Sequence, residues 1–418
     1  VIGRLRRERD IGIQAGHVLF DLADNPLEIR TFQDTPREEA ALNAGIGWMG
    51  NRFAAKLSAS LLSNPSDGDD LRLDGSYVAG ISGNWMATFG KLDRWWGPSW
   101  NGSLILSNNA RPPTTIGIQR SALKAFELPI LRWLGPWDLR AFIGQLDDDR
   151  AVSDAKLLGV RFAFQPFSTL EIGINRTAQW GGDGRPQDLQ SFIDLVAGRD
   201  NVGEGGITEE NQPGNQLASV DFRWRSPLGR APYTVYGEIL GEDEAGIDAI
   251  GLPLPSRVIA SAGTQIWGSV PFAEASYRGY VEYTNTTSEF HSDENRPNFA
   301  YNHGTYQDGY RFHDRTLGHS IDGDSRAIAA GLLWVGDSSE WFVNVLDARL
   351  NKDGTDSAPP SAPHPLSPGT STDFQRLYLS HRRGVFDGEL TVGIAGIRSR
   401  PDSGAWETDT QTFIRYQR

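Results

Sequence analysis

The sequence predicts an all-β protein, a transmembrane antiparallel β-barrel of about 18 strands of the bacterial outer-membrane type. Three observations predict it. Apolar and polar residues alternate with period two over segments of about 9–13 residues, longer than the strands of ordinary globular sheets. No apolar run reaches the roughly 20 residues that a membrane helix needs, whereas strands that cross a bilayer need only about 9–11. The connections between the alternating segments are long and short by turns, as external loops and periplasmic turns are in such barrels.

The alternation is plain in Ala273–Thr284. Ala273, Ala275, Tyr277, Gly279, Val281 and Tyr283 fall on one face, and Glu274, Ser276, Arg278, Tyr280, Glu282 and Thr284 on the other. Ala218, Val220, Phe222 and Trp224 likewise oppose Ser219, Asp221, Arg223 and Arg225. Charge this frequent on one face implies a wet, hydrogen-bonded lumen rather than a dry core. The predicted strands are 10–23, 38–49, 51–62, 71–81, 85–93, 115–123, 137–146, 155–165, 170–180, 217–226, 233–242, 257–266, 273–285, 325–335, 341–350, 373–382, 387–398 and 405–418. Residues 10–418 thus form the barrel, preceded by a short basic periplasmic segment, 1–9.

Short connections centre on Gly50, Ser82–Asn84, Pro166–Thr169, Pro227–Pro232, Gly268–Phe272, Gly336–Glu340 and Arg383–Gly384. Long ones include 94–114, 181–216, 243–256, 286–324 and 351–372, and the order puts 94–114, 181–216 and 286–324 outside the cell. Residues 124–136 break the pattern, being too long for a periplasmic turn. Within 181–216, Leu189, Phe192, Ile193 and Val196 have helical spacing, Pro186 suits a first helical turn and Gly198 a terminator. A short helix folded into or over the pore is expected there. The proline-rich stretch 358–369 is expected to be extended.

Composition narrows the function. A net charge of −13 argues against a nucleic-acid partner, which calls for a basic surface. The chain has no cysteine, hence no disulfide, thiolate metal site or cysteine nucleophile. Its 7 histidines form no metal-ligand pair, so neither a metal nor a cofactor is expected. There is no GxSxG-type elbow. The acidic groups Asp147–Asp149, Glu209-Glu210 and Glu242-Asp243-Glu244 read as solvated rim or as calcium ligands rather than as a hydrolytic pair. Val1 is not preceded by a starting Met or a signal segment, consistent with a mature or trimmed product.

The long loops carry the candidate chemistry. One opens Arg94-Trp95-Trp96-Gly97-Pro98-Ser99-Trp100-Asn101, another Gln179-Trp180-Gly181-Gly182-Asp183-Gly184-Arg185-Pro186, and a third holds Tyr306 and Tyr310. Flat aromatic rings beside Asp, Asn and Arg suit the apolar faces and hydroxyl rims of sugars. The candidate polysaccharide-binding residues are therefore Arg94, Trp95, Trp96, Trp100, Asn101, Arg111, Trp180, Asp183, Arg185, Tyr306 and Tyr310. The bland alternatives are an interfacial girdle or loop core for Trp95 and Trp96, and a loop-internal ion pair for Asp183 and Arg185. Lumenal charges such as Arg161, Arg223, Arg278 and Glu282 fit either an open, ion-selective channel or the internal network of a blocked one.

These loops resemble those of the capsule-assembly Wzi family. The resemblance lies in Trp95-Trp96-Gly97-Pro98, Asn101-Gly102-Ser103-Leu104-Ile105, Arg111-Pro112 and Arg132-Trp133-Leu134-Gly135-Pro136-Trp137, and most specifically in Gln179–Pro186. It resumes at Pro213–Ala218, Gly241–Glu244, Tyr306-Gln307-Asp308-Gly309-Tyr310 and Leu317-Gly318. It implies an eighteen-stranded, occluded outer-membrane barrel with a periplasmic helical bundle. The implied function is that of a non-enzymatic lectin that binds capsular or extracellular polysaccharide and helps to attach and organise it at the cell surface. The bundle has no counterpart in the short segment before the first strand, and the chain ends at Arg418 rather than on the aromatic that barrel-assembly machinery reads. The other partners implied are outer-membrane lipids and that machinery during biogenesis. A porin for small polar solutes and a lipid- or glycan-modifying barrel enzyme are the alternative functions. For a lectin, Trp96→Ala and Arg185→Ala are expected to weaken polymer retention while the barrel still assembles.

Overall fold

The computed structural model describes residues 11–418 except 15, 198–207, 209–211, 213, 230–231, 243–244, 247–253, 256, 271–272, 292–295 and 358–361. The expected segment 1–9, the terminator Gly198 and the acidic residues Glu209, Glu210, Asp243 and Glu244 lie outside the described residues.

Among the described residues, eighteen antiparallel strands form one closed sheet. They are β1 (His17–Asp24), β2 (Ala40–Met49), β3 (Phe53–Ser63), β4 (Tyr77–Ser82, with Leu71–Arg72 as an outlying piece), β5 (Trp85–Lys91), β6 (Thr114–Arg120), β7 (Pro136–Gln145), β8 (Lys156–Phe167) and β9 (Leu170–Trp180). Then come β10 (Gly214–Arg225), β11 (Tyr233–Glu242), β12 (Val258–Val270), β13 (Ala275–Asn285), β14 (Arg326–Val335), β15 (Ser339–Leu350), β16 (Thr372–Val385), β17 (Gly388–Pro401) and β18 (Glu407–Gln417). Each pairs with its neighbours in sequence, and β1 pairs with β18 from Leu19↔Gln417 to Asp24↔Thr412. Closure removes the unpaired edges that a sheet in lipid cannot carry. Among the described residues no helix is long and apolar enough to cross a membrane.

The predicted faces are the observed ones. Val220, Phe222, Val281 and Tyr283 are exposed on the outer wall, while Ser219, Asp221, Tyr280 and Glu282 are buried inside. An inward Asp and an outward Phe next to it in the chain are stable together only if one side is apolar and the other is not. The ends differ from those the periodicity suggested: β1, β4 and β18 are shorter, while several later strands are longer. β12 runs on through Gly268 to Val270, and β16 to Val385, so the last short turn falls at Phe386-Asp387 rather than at Arg383–Gly384.

The long connection after β6 extends the sheet. Lys124–Ala125 continue the ladder by pairing with Trp137 and Pro136 at the foot of β7, and a 3-10 turn, Pro129–Leu134, closes the hairpin. Leu128, Ile130 and Trp133 are exposed on it, and Trp133 sets its edge against Phe164 of the outer wall (6.4 Å). The segment widens the interfacial aromatic rim instead of acting as a tight turn.

Among the described residues a single α-helix, α1 (Leu189–Ala197), lies in the connection between β9 and β10. Its existence follows the predicted spacing, but its place does not. It packs on the outer wall: Arg176 of β9, whose neighbours Ile174 and Asn175 face outward and inward respectively, holds its last carbonyls. Parts of 25–39, 92–113 and 296–325 instead fold inward from the end of the long loops and pack in the lumen. Their core joins Trp96, Leu104, Ile105, Tyr301, Tyr306, Tyr310 and Leu317 to the inner wall at Phe142, Leu217, Leu240 and Ile259.

Candidate functional site

The plug is held by lumenal carboxylates on the wall. Glu238 of β11 accepts the backbone N–H groups of Leu104 (2.8 Å) and Ile105 (3.3 Å). Glu282 of β13 accepts those of Trp100 and Asn101 (2.8 Å), the Asn101 amide (3.2 Å) and the Tyr236 hydroxyl (2.7 Å). Glu242, at the top of β11, accepts the N–H of Tyr301 and is buried. It is a docking group, not the solvated rim residue that its acidic neighbours suggested. Arg223 donates to the Pro98 carbonyl (3.1 Å), and Arg376 to the Ile29 carbonyl and to Asn344 (3.0 Å). An irregular loop buried in a barrel exposes backbone polar groups with no ladder to satisfy them, and the wall's charged side chains supply the partners. Lumenal charge is therefore the internal network of a blocked barrel.

The loops also bind one another. The Tyr301 hydroxyl donates to the Leu104 carbonyl (2.6 Å) and that of Tyr310 to Ile105 (2.9 Å), with the two rings stacked 6.2 Å apart. Arg311 grips Asp322 through both carboxylate oxygens (2.6 and 3.0 Å). Arg111 joins Asp67, Asp69 (2.9 Å) and Asp74 (3.0 Å). Burial works to raise the Asp67 carboxyl, but hydrogen bonds from Arg72 and Arg111 outweigh it and hold the group at about 2. Among the described residues the grouping Asp67, Asp69 and His313 has metal-ligand proximity, and Arg111 already neutralises both of its carboxylates.

His319 lies under Gly102, where the imidazole ring fills the space that any Cβ would take. Gly309 holds φ at +73° while its carbonyl accepts from Gln179 (3.0 Å). These glycines of the family-like segments answer to packing and to a left-handed turn. Burial pulls the His319 pKa down to about 4, and burial with the nearby Arg185 charge does the same for His303. Both are neutral in the plug, whereas in a released chain they titrate near ~6.5. The released state then binds more protons between those values, so the plug loses stability as pH falls from about 6.5 towards 4. Asp324, which burial raises to about 7, acts in the opposite sense. Limited proteolysis of the intact protein should cut 286–325 faster at about pH 4.5 than at about pH 7. His319→Gln should reduce that difference; an unchanged pH profile would remove His319 from the plug's pH response.

The structure separates the sequence-predicted residues into three places. Trp96, Asn101, Arg111, Tyr306 and Tyr310 are buried in the plug, Trp96 being 2% exposed with its ring 5.5 Å from Phe142. Arg94, Trp95 and Trp100 are half-buried on the inside of the barrel. Arg94 caps the Phe142 ring (4.3 Å) and donates to Thr115 (2.7 Å). Trp100 stacks on Tyr280 (5.5 Å) and donates to Gln265 (3.0 Å), midway along β13 and β12, and Trp95 meets Phe32 edge-on (5.4 Å). Next to Trp100, through Gln265 and Arg278, is a pocket of about 340 Å³ also lined by Gln165, Glu171, Arg223, Arg225 and Trp267 among others. Trp180 is on the outer wall against Phe192 of α1 (5.3 Å).

Of the candidates, Asp183 and Arg185 alone reach the outward face. Among the described residues no ion pair joins them. Asp183 is exposed and anchored by its N–H to the Ser153 carbonyl (2.8 Å). Tyr306 donates to the Gly181 carbonyl (3.0 Å), which brings this turn beside His303 and Asp308; Asp308 in turn accepts the N–H of Ala151 (2.7 Å). Asn302, His303, Gln307 and Asp308, all partly exposed, complete a polar surface that sequence reasoning did not single out. Their spacing gave no pattern, because the surface is assembled from two loops far apart in the chain. The wall carboxylate Glu238 was also missed; its signal was an acid at an inward-parity position in an otherwise apolar strand.

A family model described as capsule assembly protein Wzi matches residues 24–396. A Klebsiella pneumoniae protein, described as an uncharacterized 55.8 kDa protein in the cps region, is 39% identical over 222 residues, or 53% of this chain and 42% of that protein. The match thus spans less than half of the relative's length. Among solved structures, Escherichia coli Wzi is described as an outer membrane protein involved in group 1 capsule assembly and as a carbohydrate binding beta-barrel. It superposes with a TM-score of 0.80 at 24% identity, covering 100% of this chain and 86% of that one. Pseudomonas aeruginosa OprD gives 0.50 at 11% identity over 97% and 94% of the chains. These likenesses establish the barrel fold, and the family model, spanning most of the sequence, establishes kinship: the chain belongs to the Wzi family of capsule assembly proteins.

Proposed function

We propose that this protein is a non-catalytic outer-membrane lectin that binds capsular or extracellular polysaccharide and helps to attach and organise it at the cell surface. Family membership supports the reading, as does the carbohydrate binding described for Escherichia coli Wzi. The observation that supports it is the packing of the 96–106 and 300–322 loop residues inside the lumen, held by wall carboxylates. Loops that would line an open pore are spent on packing against the inner wall, so the remaining external chemistry is read as a surface rather than a passage. Of the candidate residues, Asp183 and Arg185 contact polymer directly, with Asn302, His303, Gln307 and Asp308 beside them. Arg94, Trp95, Trp96, Trp100, Asn101, Arg111, Trp180, Tyr306 and Tyr310 act by shaping the scaffold beneath. Planar Asp, Asn, Gln and Arg groups give the paired hydrogen bonds that sugar hydroxyls require.

The test is equilibrium binding of the purified protein in detergent to capsular polysaccharide from the host cell, together with planar-bilayer recording. Saturable binding with no steady conductance supports the lectin. Stable open-channel steps without binding would favour a porin, and shortening of the polymer chains would favour an enzyme.

A further inference from the structure

We propose that α1 is a membrane-interface anchor: it lies along the outside of the barrel and buries Leu189, Ile193 and Val196 among the acyl chains of the outer leaflet. The proposal rests on the membrane placement of the barrel and not on polysaccharide binding.

The helix is capped at its start and fixed to the wall by hydrogen bonds at its end. Asp188 caps its start, accepting the N–H of Ser191 (2.8 Å). At its end Arg176 donates to the carbonyls of Leu195 (2.6 Å) and Val196 (2.7 Å), and Gln216 of the adjoining strand to Leu195 (3.0 Å). A cation on the last carbonyls also suits the helix dipole. Phe192 meets Trp180 above, and Ser191 and Leu195 are buried against the barrel. The helix therefore runs back down the wall from the rim at Trp180 to the level of Arg176.

At about 100° per residue its surface divides into three sectors. Ser191 and Leu195 face the wall. Gln190 and Asp194, hydrogen-bonded to each other (3.0 Å), form a polar edge. Leu189, Ile193 and Val196 fall on one stripe, 74, 49 and 56% exposed. That stripe is continuous with the lipid-facing belt. Ile174, two residues below Arg176 on the same face of β9, is 50% exposed, and Val220 and Phe222 on β10 are 42 and 41% exposed. An apolar stripe with a polar edge, lying beside a lipid-facing surface, has the form of an interfacial helix. The same placement explains Arg176 and Gln216. Polar groups on the lipid-facing wall are costly unless paired, and the helix carbonyls pair them.

The absence of cysteine makes the test clean. Ile193→Cys, Gln190→Cys and Ile174→Cys variants of the full chain are spin-labelled, reconstituted into phosphatidylethanolamine–phosphatidylglycerol vesicles and probed with oxygen and a water-soluble nickel chelate. At Ile193 oxygen should relax the label more than the chelate, as at Ile174, and the order should reverse at Gln190. A water-like response at Ile193 with a lipid-like one at Ile174 would overturn the anchor alone. A label at Ile193 shielded from both probes would also overturn it, in favour of a contact with a second copy. A water-like response at Ile174 would instead remove the membrane placement itself.

Discussion

Replacing Glu238 and Glu282 together with alanine should unseal the barrel, giving steady single-channel steps in planar bilayers where the wild type gives none. The two carboxylates accept the backbone N–H groups of Trp100, Asn101, Leu104 and Ile105 inside the lumen. A buried donor left without a partner costs about 1–3 kcal/mol, so four of them destabilise the docked loop by several kcal/mol. Removing the buried charges returns part of that, since their desolvation is no longer needed. The net loss still falls on one segment, 96–106, whose remaining ties to the wall are single side-chain contacts, such as Arg223 to the Pro98 carbonyl and Trp100 to Gln265. The eighteen-strand hydrogen-bond network is untouched, so the barrel should still migrate as a folded species in unheated gels. Either single variant should have a smaller effect than the pair, because the sites hold adjacent stretches of one loop. A folded but electrically silent double variant would show that the plug does not depend on these carboxylates.

Arg185→Ala and Trp96→Ala should both reduce polymer retention, by different routes. Arg185 is at the outward face, and its removal deletes a charged hydrogen-bond donor without opening a cavity. Affinity for the polysaccharide should fall about tenfold, or ~1.4 kcal/mol, with the barrel still migrating as a folded species in unheated gels. Trp96 is 2% exposed against Phe142, Leu104 and their neighbours. Its truncation leaves a void worth ~3–5 kcal/mol locally. Loop 92–113 should then become cleavable by external protease, with retention falling as the surface above it loosens. Measured binding and cleavage rates on the two variants separate the routes. If Trp96→Ala lost binding with no gain in cleavage, the buried position assigned to this ring would be in error. If Arg185→Ala bound polymer normally, the outward patch would not be the contact.

The strand pattern was legible because each barrel residue answers to only two solvents. Val220 and Asp221 differ in type because one meets lipid and the other a hydrogen-bonding interior, and that contrast repeats along every strand. Strand ends were less legible. Gly268 and Gly384 read as turn residues, yet both are within ladders, since a glycine's tolerance of turns says nothing about whether a partner strand is present. The helix between β9 and β10 was also legible from its spacing. Its side of the wall was not, because an apolar stripe serves equally to cover a pore or to meet lipid. The direction of Arg176 decided it.

The candidate site was the least legible part. Aromatic, arginine and amide residues were sound markers of important loops, and the family-like segments that contain them are the plug. Trp96, Tyr306 and Tyr310 have the chemistry of sugar platforms, but their surfaces are taken up by one another and by Leu104, Ile105 and Gly181. The sequence by itself determined the barrel, its strand number, the external side and the family, since these follow from local alternation, connection length and short motifs. Only the tertiary structure decided that the pore is filled, that Glu238, Glu242 and Glu282 dock the filling, and that Asp183 and Arg185 face outward. Those outcomes depend on which loops meet across the lumen. Contacts between Tyr301 and Leu104, or Arg150 and Gly309, join residues far apart in the chain, and no local pattern encodes such a meeting.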